Sequence, residues 1–484
     1  MTDNPMTQPG KKDATVSTTM AARRALTFKA VPSTQQARDH KAHQKKLTAK
    51  SKSKQTTKAK KAKKAKMPRK EKETKAKPLK KVQKTRKSKQ EKKENPTAPP
   101  YFPYFKENYC PPECACYGRV VQCSDKGIEK IPYGIPYNSR YILLMNNRID
   151  SIQLDLLPEY IHLEFLVLSN NRLTDGAIEG AFEGIQGLKR LYMDHNLLQS
   201  VPTDLPSSLE ELRLDDNQLS VMSEAAWGRC SNLMVLSLSN NSLGNLSDPL
   251  PAGVLSSLGS LRTLNLNHNQ LDSVPLQLPL SLQELYLRGN HIQRLPASVF
   301  QGQTKLLVLD LSVNWLTDKG LGKGVLAKAS HLESLNLEGN RLRQVPRHLP
   351  ASLKTLNLEG NAISSVGKSA FLGLPQLELL GLGKNKIARV APTAFLRLPH
   401  LHQLDLSHNN LRQVPRKLPP WLHTASLAHN KITEVPRDAF CWGSPKPPLS
   451  RLTSVQLENN LLDMGGLNGS AFRCLRGFQV VHFY

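Results

Sequence analysis

Seven cysteines are the residues of this 484-residue chain with the clearest capacity for chemistry. Cys110, Cys114, Cys116 and Cys123 lie close together with the spacing C-x3-C-x-C-x6-C. Such a cluster can form two disulfides or bind a zinc ion. The short spacings suit a tight disulfide knot better than paired zinc-binding knuckles, so we predict no metal site. Four cysteines allow three pairings, and the spacing alone does not choose among them.

No arrangement of residues in the sequence is typical of catalysis or of cofactor binding. The fourteen histidines form no H-E-x-x-H pattern and no nucleophile–base pattern. Gly367-Lys368-Ser369 matches the end of a loose phosphate-loop motif, but Ile363 and Val366 before it occupy positions of a structural repeat. The segment 320–324 is likewise a variation of a loop in that repeat. We therefore predict no enzyme activity, no catalytic residue and no cofactor.

Positive charge is concentrated in residues 1–109, which contain 32 Lys and Arg against 8 Asp and Glu. We predict a disordered tail and a Pro/aromatic linker here, because too little apolar surface is present to offset the ordering entropy. The tail has three interpretations: a solvated segment, a polyanion-binding segment, or a nuclear or nucleic-acid-binding arm. We favour heparin or heparan sulfate-like glycans over nucleic acid, since the Lys run lacks aromatic residues for base stacking. The predicted polyanion-binding residues are Lys58, Lys60, Lys61, Lys63, Lys64 and Lys66.

The rest of the chain follows one recurring line, L-x-L-x-x-N-x-[LI], the core of a leucine-rich repeat. Its fourteen asparagines are residues 147, 171, 196, 217, 241, 269, 290, 314, 340, 361, 385, 409, 430 and 460. The alternating leucines indicate short parallel strands with one buried face, and each asparagine amide can satisfy the backbone of a neighbouring turn. We predict an α/β-type leucine-rich repeat solenoid of about 14 repeats, with mostly short parallel strands and an irregular convex side.

The convex segments alternate between two chemical types. Short repeats carry paired prolines, as in 201–209, which disfavour a helix, whereas longer repeats carry a phenylalanine such as Phe182 or Phe371. The predicted domains are a tail and linker at 1–109, a cysteine-rich N-terminal cap at 110–137, the repeats at 138–440, and a C-terminal ear and cap at 441–484.

Both ends of a solenoid expose apolar surface that must be covered, and small caps need covalent support. Cys441 and Cys474 flank the last repeats and can staple that end. Cys230 aligns with Ile185 and Leu374 of other repeats. We predict that it is a buried free thiol, with an intermolecular disulfide as the alternative.

The cysteine cap, the short-long-long spacing and the long penultimate repeat together resemble the small leucine-rich repeat proteoglycan and protein family of the extracellular matrix. The resemblance covers about residues 110–484. It implies disulfides joining Cys110 to Cys116, Cys114 to Cys123, and Cys441 to Cys474. It also implies secretion and binding of matrix proteins by the concave sheet. The chain departs from the family in showing no secretory signal, which leaves its true start open. It also contains no Ser-Gly dipeptide, so we expect a glycoprotein rather than a proteoglycan.

Alternation along the strands identifies the side chains of the concave face, which we predict to be the ligand face. They are Arg190, Tyr192, Asp194, Glu211, Arg213, Asp215, Glu284, Tyr286, Arg288, Asp310, Asn336, Glu338, Asn357, Glu359, Asp405 and Glu458. The acidic excess could pair with Lys and Arg of collagen, and charge reversal at Glu211, Asp215 and Glu284 would test this. The N-glycosylation sequons begin at Asn240, Asn245 and Asn468.

We therefore expect a secreted, disulfide-capped matrix protein that binds collagen, other matrix proteins or sulfated glycans, with support for cell adhesion. The alternative is an extracellular modulator of growth-factor or cell-surface receptor signalling. A third class, an intracellular scaffold, would require the cap cysteines to be reduced. No apolar run is long enough for a membrane span.

Overall fold

The computed structural model describes residues 109–244, 249–443, 449–477 and 480–483. The predicted tail, including its six lysines, therefore lies outside the described residues. The described residues form nineteen strands, in chain order β1 to β19. They are Ala115–Tyr117, Val120–Gln122, Tyr141–Leu143, Phe165–Val167, Arg190–Tyr192, Glu211–Arg213, Val235–Ser237, Thr263–Asn265, Glu284–Tyr286, Val308–Asp310, Ser334–Asn336, Thr355–Asn357, Ser365–Val366, Leu379–Gly381, Arg389–Val390, Gln403–Asp405, Thr424–Ser426, Ser454–Gln456 and Val481–His482.

Seventeen of these strands form one sheet, which is the backbone of the solenoid. β1 and β2 form an antiparallel hairpin in the cap, and β2 then pairs in parallel with β3, the strand of the first repeat. From there each repeat strand pairs in parallel with the next, up to β19. β13 and β15 form a separate two-stranded parallel sheet outside this series. These observations confirm the predicted leucine-rich repeat solenoid.

The core lies beneath this sheet and is built from the central residue of each repeat strand. Leu285, Leu309 and Leu335 pair with one another across adjacent strands and are fully buried. The convex side closes the core with buried aromatic residues, including Phe182, Phe300 and Trp227.

The helical segments for which the described residues give full bounds are short and lie on the convex side. They are the α-helix Asp175–Ile178 and the 3-10 helices Leu157–Glu159, Glu224–Trp227, Leu326–Lys328 and Gly469–Ala471.

The repeated asparagines form a buried ladder that ties each turn to its neighbours. Asn314 is 2% exposed. Its Oδ1 accepts the N–H of Ile292 at 3.0 Å, and its Nδ2 donates to the carbonyl oxygens of Leu287 at 2.8 Å and Leu311 at 3.1 Å. A buried amide is tolerated when its donors and acceptor are satisfied in this way.

The residue before each ladder asparagine adopts a left-handed backbone conformation. Asn170, His195 and His408 have φ values of 55°, 54° and 52°. Short polar residues and glycine tolerate this region best, which gives the histidines before the ladder a structural role. Val313, with φ of 52°, is the β-branched exception in this series.

Disulfides close both ends of the solenoid. Cys110 bonds to Cys116 and Cys114 to Cys123 in the N-terminal cap, and Cys441 bonds to Cys474 in the ear. These are the pairs that the family resemblance implies. Cys230 is a free, fully buried thiol, and burial raises its pKa to about 11. A buried, protonated thiol in this position does not suit an intermolecular disulfide.

Candidate functional site: the concave face

The predicted ligand residues lie on the solvent-facing side of the parallel sheet, which we call the concave face. Arg190 and Tyr192 begin and end β5, and Glu211 and Arg213 begin and end β6. Most side chains at these positions and at the corresponding positions of later strands are partly or fully exposed. Ser237 at the end of β7 and Asn357 at the end of β12 are buried, so Asn357, predicted to face the ligand, presents little surface there. The remaining predicted residues lie on later strands or just beyond strand ends: Asp194, Asp215, Glu284, Tyr286, Arg288, Asp310, Asn336, Glu338, Asn357, Glu359, Asp405 and Glu458.

The first four repeat strands, β3 to β6, carry three aromatic rings and an arginine in mutual contact. We call this group the aromatic patch, and it consists of Tyr141, Phe165, Tyr192 and Arg213. The rings of Tyr141 and Phe165 meet edge to face with centroids 6.2 Å apart, and those of Phe165 and Tyr192 with centroids 4.8 Å apart. The guanidinium of Arg213 lies 4.5 Å from the centre of the Tyr192 ring. Such contacts hold the rings in fixed orientations on a surface open to solvent.

The aromatic patch borders an open cleft of about 590 Å³. Leu143, Met145 and Val167 form part of its apolar lining, and Asp194 and His195 form part of its polar rim. The sequence interpretation missed Tyr141, Phe165 and the apolar lining because it selected mainly polar side chains at outward positions. The same alternation would have found them, since Phe165 and Val167 flank the buried Leu166.

The carboxylate of Glu211 is already engaged by its neighbours. It accepts a hydrogen bond from the Tyr192 hydroxyl at 2.8 Å and forms an ion pair with Arg213 at 2.7 Å. Burial, together with the hydrogen bond to Glu211, raises the pKa of Tyr192 to about 12. Tyr192 therefore stays a neutral donor at physiological pH, and Glu211 serves to position the aromatic patch.

Asp215 and Glu284, predicted as ligand residues together with Glu211, are also hydrogen-bonded within the protein. Asp215 Oδ1 accepts from the Ser237 hydroxyl and the Ser239 N–H, both at 2.6 Å. Glu284 Oε2 accepts a hydrogen bond from the Tyr286 hydroxyl at 3.2 Å. Burial of Tyr286, together with the negative charge of Glu284 and this hydrogen bond, raises the pKa of Tyr286 to about 12. Charge reversal at these residues would perturb the fold as well as the surface, so they are poor probes of binding.

A second cluster, the acidic patch, occupies the C-terminal half of the concave face and consists of Asp310, Glu338, Glu359 and Asp405. Lys384 forms an ion pair with Glu359 at 2.8 Å. This hydrogen bond raises the pKa of Lys384 against the opposing effect of burial, and the charges of Glu359, Glu338 and Asp405 add to the increase. One lysine thus offsets part of a locally negative surface.

Two stacked histidine pairs lie on the later repeats, and His408 of the first pair lies within electrostatic reach of Asp405 and Glu359. The rings of His408 and His429 are 4.1 Å apart, and those of His402 and His423 are 4.8 Å apart. Burial and the partner ring lower the pKa of His408 and of His423. Across the described residues, no group of three or more His, Cys, Asp or Glu side chains is placed to hold a metal ion.

The sequons differ in what the structure shows. Asn240 is exposed on the bend after β7 in a left-handed conformation. Asn468 is exposed, and its Oδ1 accepts the Ser470 N–H at 3.0 Å, which leaves its Nδ2 without a hydrogen-bond partner among the described residues. Asn245 lies outside the described residues. Use of these sequons stays a prediction.

In the part of the chain that the structure describes, no helix combines the length and apolarity that crossing a membrane requires.

Comparison with protein families gives matches to the cap and to the repeats, between residues 109 and 425. The leucine rich repeat model matches residues 139–198, 207–271, 281–342 and 351–411, and a second leucine rich repeat model matches 400–425. The leucine rich repeat N-terminal domain model matches 109–136, which is the cysteine cap.

Several curated proteins are similar to this chain. Keratocan of Danio rerio is 36% identical over 241 residues, covering 49% of this chain and 68% of keratocan. Lumican of Coturnix japonica is 35% identical over 241 residues, covering 49% of this chain and 69% of lumican. Podocan of Mus musculus is 34% identical over 273 residues, covering 56% of this chain and 44% of podocan.

Two phrases, 173–176 and 316–320, together with the ear, favour extracellular matrix protein 2 and then podocan as the members most like this chain. Podocan is among the relatives found, and the likeness to extracellular matrix protein 2 stays a prediction.

Solved structures show the same fold. A chain in the octameric complex of Latrophilin 3, Unc5D and the leucine-rich repeat protein FLRT2 superposes with a TM-score of 0.53 at 28% identity, covering 62% of this chain and 85% of that chain. A leucine-rich repeat protein of Leptospira interrogans superposes with a TM-score of 0.57 at 25% identity, covering 76% of this chain and 95% of that chain.

Proposed function

The chain belongs to the small leucine-rich repeat proteoglycan and protein family, and from this premise we propose that it is a secreted matrix protein that binds collagen through its concave face. The observation that carries the proposal is the aromatic patch. Its rings are fixed by one another and by Arg213, yet they face solvent on an otherwise polar sheet. Exposed, rigid aromatic residues beside an arginine are the usual centres of binding energy in protein interfaces.

The chemistry of the aromatic patch suits the backbone of collagen. Collagen chains are proline-rich and adopt polyproline II conformation. Aromatic-lined grooves bind such segments because the extended ligand is already ordered and proline rings pack on aromatic faces. The open cleft beside Phe165 gives an extended ligand room to lie along the sheet.

The acidic patch supports the same partner through charge. Asp310, Glu338 and Asp405 can attract the Lys and Arg side chains of a collagen fibril, which steers encounter and fixes orientation more than it adds affinity. The two patches occupy opposite halves of one sheet. An extended ligand could therefore contact both, with the aromatic patch supplying most of the affinity.

The proposal is tested by removing two of the three rings of the aromatic patch with the substitutions Tyr141→Ala and Phe165→Ala. We expect the Kd for immobilised fibrillar collagen to rise at least about tenfold in surface plasmon resonance, because a central aromatic contact typically contributes more than ~1.4 kcal/mol. The matched control carries Tyr117→Ala and Tyr133→Ala, which remove two cap tyrosines that are 71% and 61% exposed.

The control should bind as the unmodified protein does, and circular dichroism should show all three proteins folded. Equal binding by the aromatic-patch variant and the control would rule out this patch as the collagen site.

We also propose that the basic tail binds sulfated glycans. The support is its charge alone, a net excess of 24 positive residues in 1–109 against 4 in 110–484. Counterion release makes such binding strongly salt-dependent.

A further inference from the structure

A second basic surface lies within the solenoid itself, far along the chain from the tail. It consists of the ten-residue segments that follow the ladder asparagines from Asn290 to Asn430. In the repeats from Asn290 to Asn430 these segments contain fourteen Lys and Arg against three Asp and Glu. In the repeats from Asn147 to Asn269 the equivalent segments contain two Lys and Arg against eight Asp and Glu. The net charge of these segments therefore changes sign along the sequence between Asn269 and Asn290.

The backbone places these segments next to one another. The N–H of Arg341 donates to the Leu316 carbonyl at 2.9 Å, and that of Lys386 donates to the Ile363 carbonyl at 2.9 Å. Ser365 pairs with Arg389 in the β13–β15 sheet. The segments from Asn290 to Asn430 thus form one continuous surface, which we call the basic flank. At about 4.8 Å per turn, seven turns extend roughly 30 Å.

The cations of the basic flank are exposed, apart from the half-buried Lys417. They are Arg294, Lys319, Lys323, Arg341, Arg343, Arg347, Lys368, Lys386, Arg389, Arg412, Arg416, Lys417, Lys431 and Arg437.

Most of these charges have no acidic partner. Among the described residues, Arg416 is the flank cation with a carboxylate within ion-pair distance, at 2.7 Å from Asp438. The carboxylate of Asp318 is engaged by the backbone rather than by a flank cation. Its Oδ1 accepts hydrogen bonds from the N–H groups of Arg343 and Gln344 at 3.1 and 3.3 Å. The positive charge of the basic flank is therefore available to an external ligand.

Two open clefts mark where anionic groups could enter. The first has a volume of about 480 Å³ and is lined by Lys319, Lys323, Arg347 and His348, with Asp318 at its edge. The second has a volume of about 560 Å³ and is lined in part by Arg389 and Arg412. Both clefts lie on the basic flank, on different turns.

We infer that the basic flank is a binding site for a linear sulfated glycan, separate from the tail. A row of cations repeated from turn to turn matches a polymer with a regular repeat of anionic groups. Nucleic acid fits less well, because base stacking needs free aromatic faces. The one aromatic ring at an exposed position of these segments, Trp315, already contacts His291 at 4.6 Å and Arg341 at 4.9 Å.

Lysine footprinting of the full chain with a heparin octasaccharide tests this site directly. Acetylation of Lys319, Lys323 and Lys386, read by mass spectrometry, should slow severalfold when the octasaccharide is present. Lys305, an exposed lysine on the segment that precedes β10, should react at an unchanged rate. Lys58 to Lys66 report the tail in the same sample, so failure of the flank site and failure of the tail site are distinguished. Unchanged acetylation of Lys319, Lys323 and Lys386 would overturn the inference.

Charge neutralisation gives an independent measurement. The variant Arg347→Gln, Arg389→Gln, Arg412→Gln should lower the slope of log Kd against log salt for heparin by about 2, since each lost contact removes about 0.7 to 0.9. The matched control Lys305→Gln, Arg397→Gln, Arg451→Gln neutralises three exposed cations elsewhere and should leave the slope unchanged. Equal slopes for the two variants would contradict the inference.

The ligand class is tested with two further probes in the footprinting experiment. Fully desulfated heparin should give no protection of Lys319 and Lys323. Single-stranded DNA of matched charge should protect them less than heparin does, and equal protection would overturn the assignment to a sulfated glycan.

Discussion

Single residues set the turn geometry of this solenoid, and Val313 shows what happens when their chemistry does not fit. The position before each ladder asparagine requires a left-handed backbone, and Asn, Asp, His, Lys or Gly occupies it in the other repeats. Val313 adopts φ of 52° with a β-branched side chain that is 41% exposed. Little burial compensates for the steric cost of this conformation.

Replacement of Val313 by Asn should therefore stabilise the protein by about 1 kcal/mol, because asparagine tolerates the left-handed region. The measurement is the urea midpoint at unchanged m-value. Val313→Thr is the matched control, since threonine keeps the β-branch while adding polarity, and we expect its stability to equal that of the unmodified protein. Equal stabilisation by Thr and Asn would show that polarity, not backbone strain, limits this position.

Prediction from the sequence was weakest for the roles of individual side chains. The ladder asparagines and the buried slot of Cys230 follow from register alone. The roles of Glu211 and Asp215 do not, because their hydrogen bonds depend on side-chain conformations that a repeat pattern does not specify. Phe165 was missed for a different reason: alternation places it at an outward position beside the buried Leu166, but mainly polar side chains were selected at such positions.

At the scale of elements, most of the fold could be predicted because each strand repeats the same interaction. The pattern gives the strand, its buried leucine and the asparagine that joins it to the next turn. The convex connections vary between extended segments, a four-residue α-helix and short 3-10 turns. The β13–β15 pair was not predicted, because its strands are two residues long and carry no periodic signal.

The ear depends on one covalent link in a molecule whose repeats contact mainly their neighbours. The disulfide between Cys441 and Cys474 spans a sequence separation of 33 residues. Closing a loop of this length in the unfolded chain corresponds to about 4 kcal/mol in the chain-entropy model. Because solenoid stability is nearly a sum of local terms, its loss should act on the last repeats first.

The double variant Cys441→Ala, Cys474→Ala tests this local effect. Amide hydrogen exchange should accelerate in residues 449–477, while exchange near Asn290 should match that of the unmodified protein. Cys230→Ala is the control, since it removes a buried thiol without breaking a disulfide. Uniform acceleration along the solenoid would show that the ear stabilises the whole domain cooperatively.

At the scale of the molecule, three surfaces differ in their chemistry: one is aromatic, one acidic and one basic. The aromatic patch and the acidic patch lie on the concave face, and the basic flank lies beside it on the later repeats. A protein with such an arrangement could hold collagen on one surface and a sulfated glycan on another. The two proposed activities can be tested separately, since the residues of the aromatic patch and of the basic flank belong to different repeats.

The central claim is that collagen binds the concave face at the aromatic patch, and hydrogen exchange of the full chain with a triple-helical collagen peptide tests it most directly. We predict slower exchange in β3, β4, β5 and β6 when the peptide is bound, with the convex segments unchanged. Protection confined to the convex segments or the basic flank, with no change in these four strands, would contradict the account.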